Sequence, residues 1–158
     1  MCEHCSCRRQ PSIAQFGADH DRIEVVARRL DQAHACGDRV SVRTITAELL
    51  ALLVPHVTRE EQGLFPELAA SGGEQHTRRM EREHDEFDAA LVPVAAGVAT
   101  DAQWEALPAV LEELRQHIWI EEFDVFPAAL QLLDPFAWQR VERVCDDLEL
   151  GPVSAETA

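Results

Sequence analysis

Four histidines, His20, His56, His84 and His117, and two glutamates, Glu60 and Glu121, have the types and spacing to hold a cation. Each glutamate follows a histidine by four residues, which on a helix puts the pair side by side on one face. The two segments read alike over eleven residues, His56-Val-Thr-Arg-Glu60-Glu61-Gln-Gly-Leu-Phe65-Pro66 and His117-Ile-Trp-Ile-Glu121-Glu122-Phe-Asp-Val-Phe126-Pro127. The other two histidines also match, His20-Asp21-Arg-Ile-Glu24 against His84-Asp85-Glu-Phe-Asp88, at an offset of 64 residues where the first pair has 61. A duplicated helical hairpin explains both offsets. Each histidine interrupts an apolar stripe, so all four point inward with Glu60 and Glu121. Unpaired carboxylates are costly to bury, by several kcal/mol each, and a bound cation among four imidazoles would offset that cost.

The elements that position these residues are helical. Phe16, Ile23, Ala27 and Leu30 recur at helical spacing and predict a first helix over 18–36, stopped by Gly37. Ser41 can cap a second helix that reaches about residue 68, bent just before His56 by Pro55 and ended by Ser71-Gly72-Gly73. A third covers 74–98 and contains Pro93; a fourth, capped by Thr100 or Asp101, runs past Ala128; Asp134-Pro135 opens a fifth over 136–148. No stretch alternates as strands do. The reading is therefore all-α: an antiparallel up-down four-helix bundle over 13–134, with an extra C-terminal helix over 135–150 packed outside it. A Cys-rich tail over 1–12 and a disordered tail over 151–158 complete the chain.

Heights agree with this plan. His20 lies 17 residues before Gly37 and His56 15 after Ser41; His84 lies 13 before Gly97 and His117 16 after Asp101. At about 1.5 Å per residue all four can share one level. The middle hairpin is uneven, 16 residues from His56 to Gly72 against 10 from Glu74 to His84, so Phe65-Pro66 is expected to end the second helix early.

Other candidates are weaker. Glu24 and Asp88 complete the His-x3-acid spacing and either bind metal, bond to a ligand histidine or face water. Glu61 and Glu122 lie about 100° further round, where solvent or a ligand histidine is the expected neighbour. Cys2, His4, Cys5 and Cys7 could chelate a second metal or form a redox pair, against the alternative of a reduced disordered tail. Cys36 and Cys145 read as buried small hydrophobes, His34 and His76 as surface residues. Phe65, Phe87, Phe123, Phe126 and Trp119 read as core that could wall a dry pocket.

Composition narrows the class. The chain has 158 residues, enough for one domain with a real core, and a formal charge of −15 that repels nucleic acid and anionic membranes. No secretory signal opens it and no segment reads as long enough to span a membrane, so reduced thiols and a cytoplasmic setting are expected.

The pattern His, His-x3-Glu, His, His-x3-Glu resembles that of the hemerythrin-like family, the HHE cation-binding domain, from Asp19 to about Leu130. The resemblance implies a non-haem di-iron centre, two irons joined by an oxo or hydroxo bridge, on His20, His56, Glu60, His84, His117 and Glu121, with both glutamates bridging; manganese or zinc are alternatives. Oxygen carriers of the family have a second histidine four residues after the one on the third helix. Asp88 stands there in this chain, which argues against carrier-type reversible binding. Four histidines and two bridging carboxylates leave about two coordination positions open for oxygen, peroxide or nitric oxide. The expected role is a scavenger in oxidative or nitrosative stress, with peroxidase-like, catalase-like or NO-reactive turnover. A non-enzymatic oxygen, NO or iron sensor and a metal buffer are the alternatives. A diatomic or peroxide ligand is the expected partner, with no nucleic acid and no membrane.

Overall fold

The computed structural model describes residues 9–150, the side chains of 149 and 150 excepted; Cys2, His4, Cys5 and Cys7 and the segment 151–158 lie outside the described residues. Helix α1 (Pro11–Ala35) starts well before residue 18 because Pro11, at the first helical position, needs no N–H partner there. Gly37, at φ +70°, then turns the chain. Helix α2 (Arg39–Arg59) is capped by Asp38, which accepts from the Ser41 N–H and hydroxyl; Ser41 is the capped residue, not the cap. It runs through Pro55 without a break.

The irregularity comes later than Pro55. Glu60–Leu64 forms a π-turn, in which the Phe65 N–H donates to the Glu60 carbonyl five residues back. The second half repeats it at Glu121–Val125, where Phe126 N–H donates to the Glu121 carbonyl. Both π-turns are followed by Phe-Pro. Proline has no N–H, and in an α-helix its ring would strike the carbonyl four residues earlier; one extra residue in the turn relieves that collision. Phe65-Pro66 therefore widens the helix and does not end it. The run continues through α3 (Phe65–Leu68) and a second π segment, Ala69–Gly73, whose Gly72 at φ +92° makes the reversal.

Helix α4 (Glu74–Ala96) contains Pro93 and ends at Gly97 in the left-handed region. Helix α5 (Asp101–Ile120) begins with a capping box between Thr100 and Gln103. After the second π-turn come α6 (Phe126–Leu132) and α7 (Pro135–Leu150), the latter opened by Asp134 accepting from the Ala137 N–H.

Packing runs α1 on α2, α2 on α4, α4 on α5 and α5 back on α1, which is an up-down four-helix bundle. Helix α7 lies against the π-turn after α2, where Gly63 lets it approach: a Cβ there would stand 3.3 Å from Val144 Cβ. The core falls into two apolar blocks. One gathers Phe16, Leu64, Phe65, Met80, Phe126 and Val141 beneath α7; the other gathers Ile23, Leu30, Leu49, Phe87, Leu91 and Leu111. Between them sits the layer of histidines and glutamates.

The expectation that no segment is long enough to span a membrane does not hold by length and composition alone. The stretch Arg39–Ala96, which reverses at Gly72, contains an 18-residue window of mean hydropathy 1.4, so by length and composition alone one of its arms passes for a membrane span. Neither Pro55, expected to bend the second helix, nor Pro66, expected to end it, interrupts the helix before that reversal. In the bundle, its positions Val42, Leu49, Leu53 and His56 are buried.

Candidate metal centre

The structure brings His20, His56, Glu60, His84, His117 and Glu121 together, all buried, with both glutamates wholly inaccessible. The positioning is local in origin. Each His-x3-Glu pair sits across the end of a helix and the start of its π-turn, so histidine and glutamate face the same side. His20 and His84 arrive from α1 and α4.

The six side chains form two groups sharing a member. His20, His56, Glu60 and Glu121 offer ligand atoms all within 4.8 Å of one another, and so do His84, His117 and Glu121. Glu121 spans the groups, Oε2 at 3.1 Å from His20 Nε2 and Oε1 at 2.9 Å from His117 Nε2. Glu60 spans them from the other side, its Oε2 at 3.5 Å from both His56 Nε2 and His84 Nε2.

These contacts are close but are not hydrogen bonds. Among the described residues all four oxygens of Glu60 and Glu121 are buried without a hydrogen-bond partner, the short distances lacking hydrogen-bond angles. The Nε2 atoms also face each other, 3.2 Å apart for His20 and His56 and 3.0 Å for His84 and His117. Two ligands bound at about 2.1 Å and at right angles would be about 3.0 Å apart. His84 and His117 each donate Nδ1–H to a carboxylate, so both Nε2 atoms present lone pairs that only a cation or a proton between them can reconcile. The donor set thus fits a metal: imidazole and carboxylate, converging, desolvated and otherwise unsatisfied.

Outside the six lies a ring of carboxylates on the Nδ1 atoms. His84 donates to Glu61 at 2.9 Å, His117 to Glu83 at 2.9 Å and His20 to Glu122 at 3.2 Å. For His56 Nδ1 the facing carboxylate, Asp19, is 3.7 Å away, too far for a hydrogen bond. Such partners fix the tautomer and ring orientation of a ligand histidine. Phe126 stacks on His20 and Phe65 on His84, with ring centroids 5.7 and 5.9 Å apart; Phe16 and Phe87 meet His56 and His117 edge-on.

Electrostatics in the metal-free site divide the groups. Burial opposes charge on His20, yet Glu121 and Glu122 outweigh it and hold its pKa up at about 9. His117 is likewise raised, Glu121 and Glu83 overcoming burial. His56 goes the other way, to about 4, burial and the neighbouring charge of His20 outweighing the upward pull of Asp19 and Glu121. Glu121 is held well below the usual carboxylate range: burial works against its charge, but His117, His20 and His84 prevail. Burial and the Glu121 charge push Glu60 well above that range. The metal-free site therefore keeps protons where a cation would sit.

The remaining candidates divide. Glu61 and Glu122 do bond to ligand histidines. Glu24 pairs with Arg115 at 3.1 Å and Asp88 is exposed, so neither reaches the centre. Trp119 and Phe123 stack on each other at the surface, 60% and 48% exposed; Trp119 lines an open hollow with Arg79 and Arg115, and neither ring walls the gap at the histidines. Cys145 is buried as expected, whereas Cys36, at the end of α1, is exposed. His34 is half-buried against Trp104, to whose carbonyl its Nε2 donates at 2.9 Å, and His76 pairs with Asp124 near the surface. Sequence reasoning missed Asp19, Glu83 and the buried Arg59. Asp19 and Glu83 each precede a histidine of the repeat, and that shared acid-His step was the available signal.

A four-helix bundle with a buried histidine-carboxylate waist defines a cation-binding protein class. Residues 12–129 match the family model described as the hemerythrin HHE cation binding domain, and the chain belongs to that family. Comparison with curated proteins and with solved structures gave no significant match.

Proposed function

We propose that the waist binds two iron ions, one on His20 and His56 and one on His84 and His117, with Glu60 and Glu121 shared, and that the protein reacts with oxygen, peroxide or nitric oxide. The observation that carries this reading is the membership of Glu121 in both donor groups, with all four glutamate oxygens lacking any other partner. When bound, the metal pair supplies redox equivalents and coordination positions open to a small oxidant.

The chain's own residues do the rest. Glu61, Glu83 and Glu122 hold three imidazoles by Nδ1 so that each Nε2 stays aimed inward. Phe16, Phe65, Phe87 and Phe126 surround the imidazoles and keep bulk water away. A gap of about 10 Å³, lined by Leu53, Phe87, Leu114 and the rings of His56, His84 and His117, has room for roughly one water-sized molecule. That size suits a diatomic and excludes larger organic substrates.

The test is ferrous loading under anaerobic conditions, followed by iron analysis and absorption spectra on exposure to air. About two irons per chain, with a near-ultraviolet band that His56→Ala loses, support the reading. A single metal that survives His56→Ala and is lost when Cys5 is replaced overturns it. Many peroxide equivalents consumed per chain would then mark an enzyme, and one stoichiometric change a sensor.

A further inference from the structure

The two halves of the duplicated hairpin supply matching carboxylates to their histidines except at one corner. In the second half, Glu83 gives Oε2 to His117 at 2.9 Å and Oε1 to Arg79 at 2.5 Å. Its counterpart Asp19 gives one oxygen to Arg22 at 3.0 Å and the other to Arg59, and so leaves His56 at 3.7 Å. Arg59 is the cause. It is 7% exposed, and the equivalent position in the second half is Ile120. A buried guanidinium next in sequence to Glu60 thus draws away the carboxylate that His56 would use. Among the described residues nothing takes its place: His56 Nδ1 is buried without a hydrogen-bond partner.

A carboxylate on the far nitrogen of a ligand histidine makes the ring a better donor, and losing it weakens metal binding about 10- to 100-fold. His84 and His117 both have that support at 2.9 Å. His20 has it at 3.2 Å and His56 lacks it. Arg59 adds a permanent positive charge on the weaker side, which further disfavours a cation there.

From this geometry we infer that Arg59 makes the two metal positions unequal, so that the His84–His117 position fills first and the His20–His56 position second. The inference rests on the two-metal reading above. Under it the protein exists over a range of metal concentration with one position filled, and the second position is the exchangeable one.

The experiment is an anaerobic titration of the full chain with ferrous iron against a competing chelator. Two bound irons with dissociation constants about 10- to 100-fold apart are expected. Arg59→Met should tighten only the weaker step, by freeing Asp19 for His56. Because Arg59→Met leaves Asp19 with one cation fewer and could unfold, Glu61→Gln supplies an independent arm. Glu61 is partly exposed, and its loss should weaken only the tighter step, by about 10-fold or more. Two irons bound with one affinity in the wild type, or Glu61→Gln acting on the weaker step, would overturn the inference and leave the two-metal reading standing. Fewer than two irons bound at saturation would overturn both.

Discussion

Replacing Glu60 by leucine should change stability in opposite directions with and without metal. Glu60 is wholly buried and neither oxygen has a hydrogen-bond partner among the described residues. A buried acceptor left unsatisfied costs about 1–3 kcal/mol, and an apolar residue of similar volume removes that cost. The metal-free variant should therefore be more stable by about 1–3 kcal/mol. At about 2–4 °C per kcal/mol for a domain of this size, its melting temperature should rise by roughly 2–12 °C.

With metal the order reverses. The wild type gains about 2.7 kcal/mol per site when free metal stands at 100 times the dissociation constant. The variant lacks one of the two carboxylates shared between the positions, so its gain is smaller. Thermal melts of both proteins, in chelator and in excess ferrous iron, should show the curves crossing. Glu60→Leu melting below the wild type in chelator would refute the claim that this carboxylate is uncompensated. An equal metal-induced rise in both proteins would refute its role in binding.

Metal-free protein should lose stability as pH falls from 6.5 towards 4, because the unfolded chain protonates His56 in that window and the folded one does not. The loss from this residue is at most about 3 kcal/mol, and His56→Leu should flatten that limb in urea unfolding at a series of pH values. His20 works in the opposite sense: its raised pKa stabilises the folded state at low pH, and that contribution is lost between pH 6.5 and about 9. Iron affinity measured by chelator competition should rise over the same interval as that proton leaves. Gly63→Val should cost about 1–3 kcal/mol in urea unfolding, since its side chain would enter the space held by Val144 of α7. Phe126→Ala should cost about 3–5 kcal/mol and expose His20 to water, seen as faster loss of bound iron to a chelator.

Much of the centre was legible because duplication writes the same chemistry twice. A lone histidine on an apolar stripe says little, but His56 with Glu60 and His117 with Glu121, each followed by Phe-Pro, fix a common level and a common inward face. The backbone between them was harder to read. Phe65-Pro66 looked like a helix end because proline normally stops or kinks a helix. Its actual effect, a single widened turn, depends on the tertiary frame that holds both flanks helical. The carboxylates on the Nδ1 atoms were partly readable, since Glu61 and Glu122 repeat, and so do the acids that precede His20 and His84. What repetition cannot reveal is where the halves differ. Arg59 against Ile120 is one substitution among many between the halves, and only burial distinguishes it: a cation held in the core takes the nearest carboxylate, and His56 is the residue left without one. In a duplicated site, symmetry locates the metal ligands, and departures from symmetry show where the two positions have different properties.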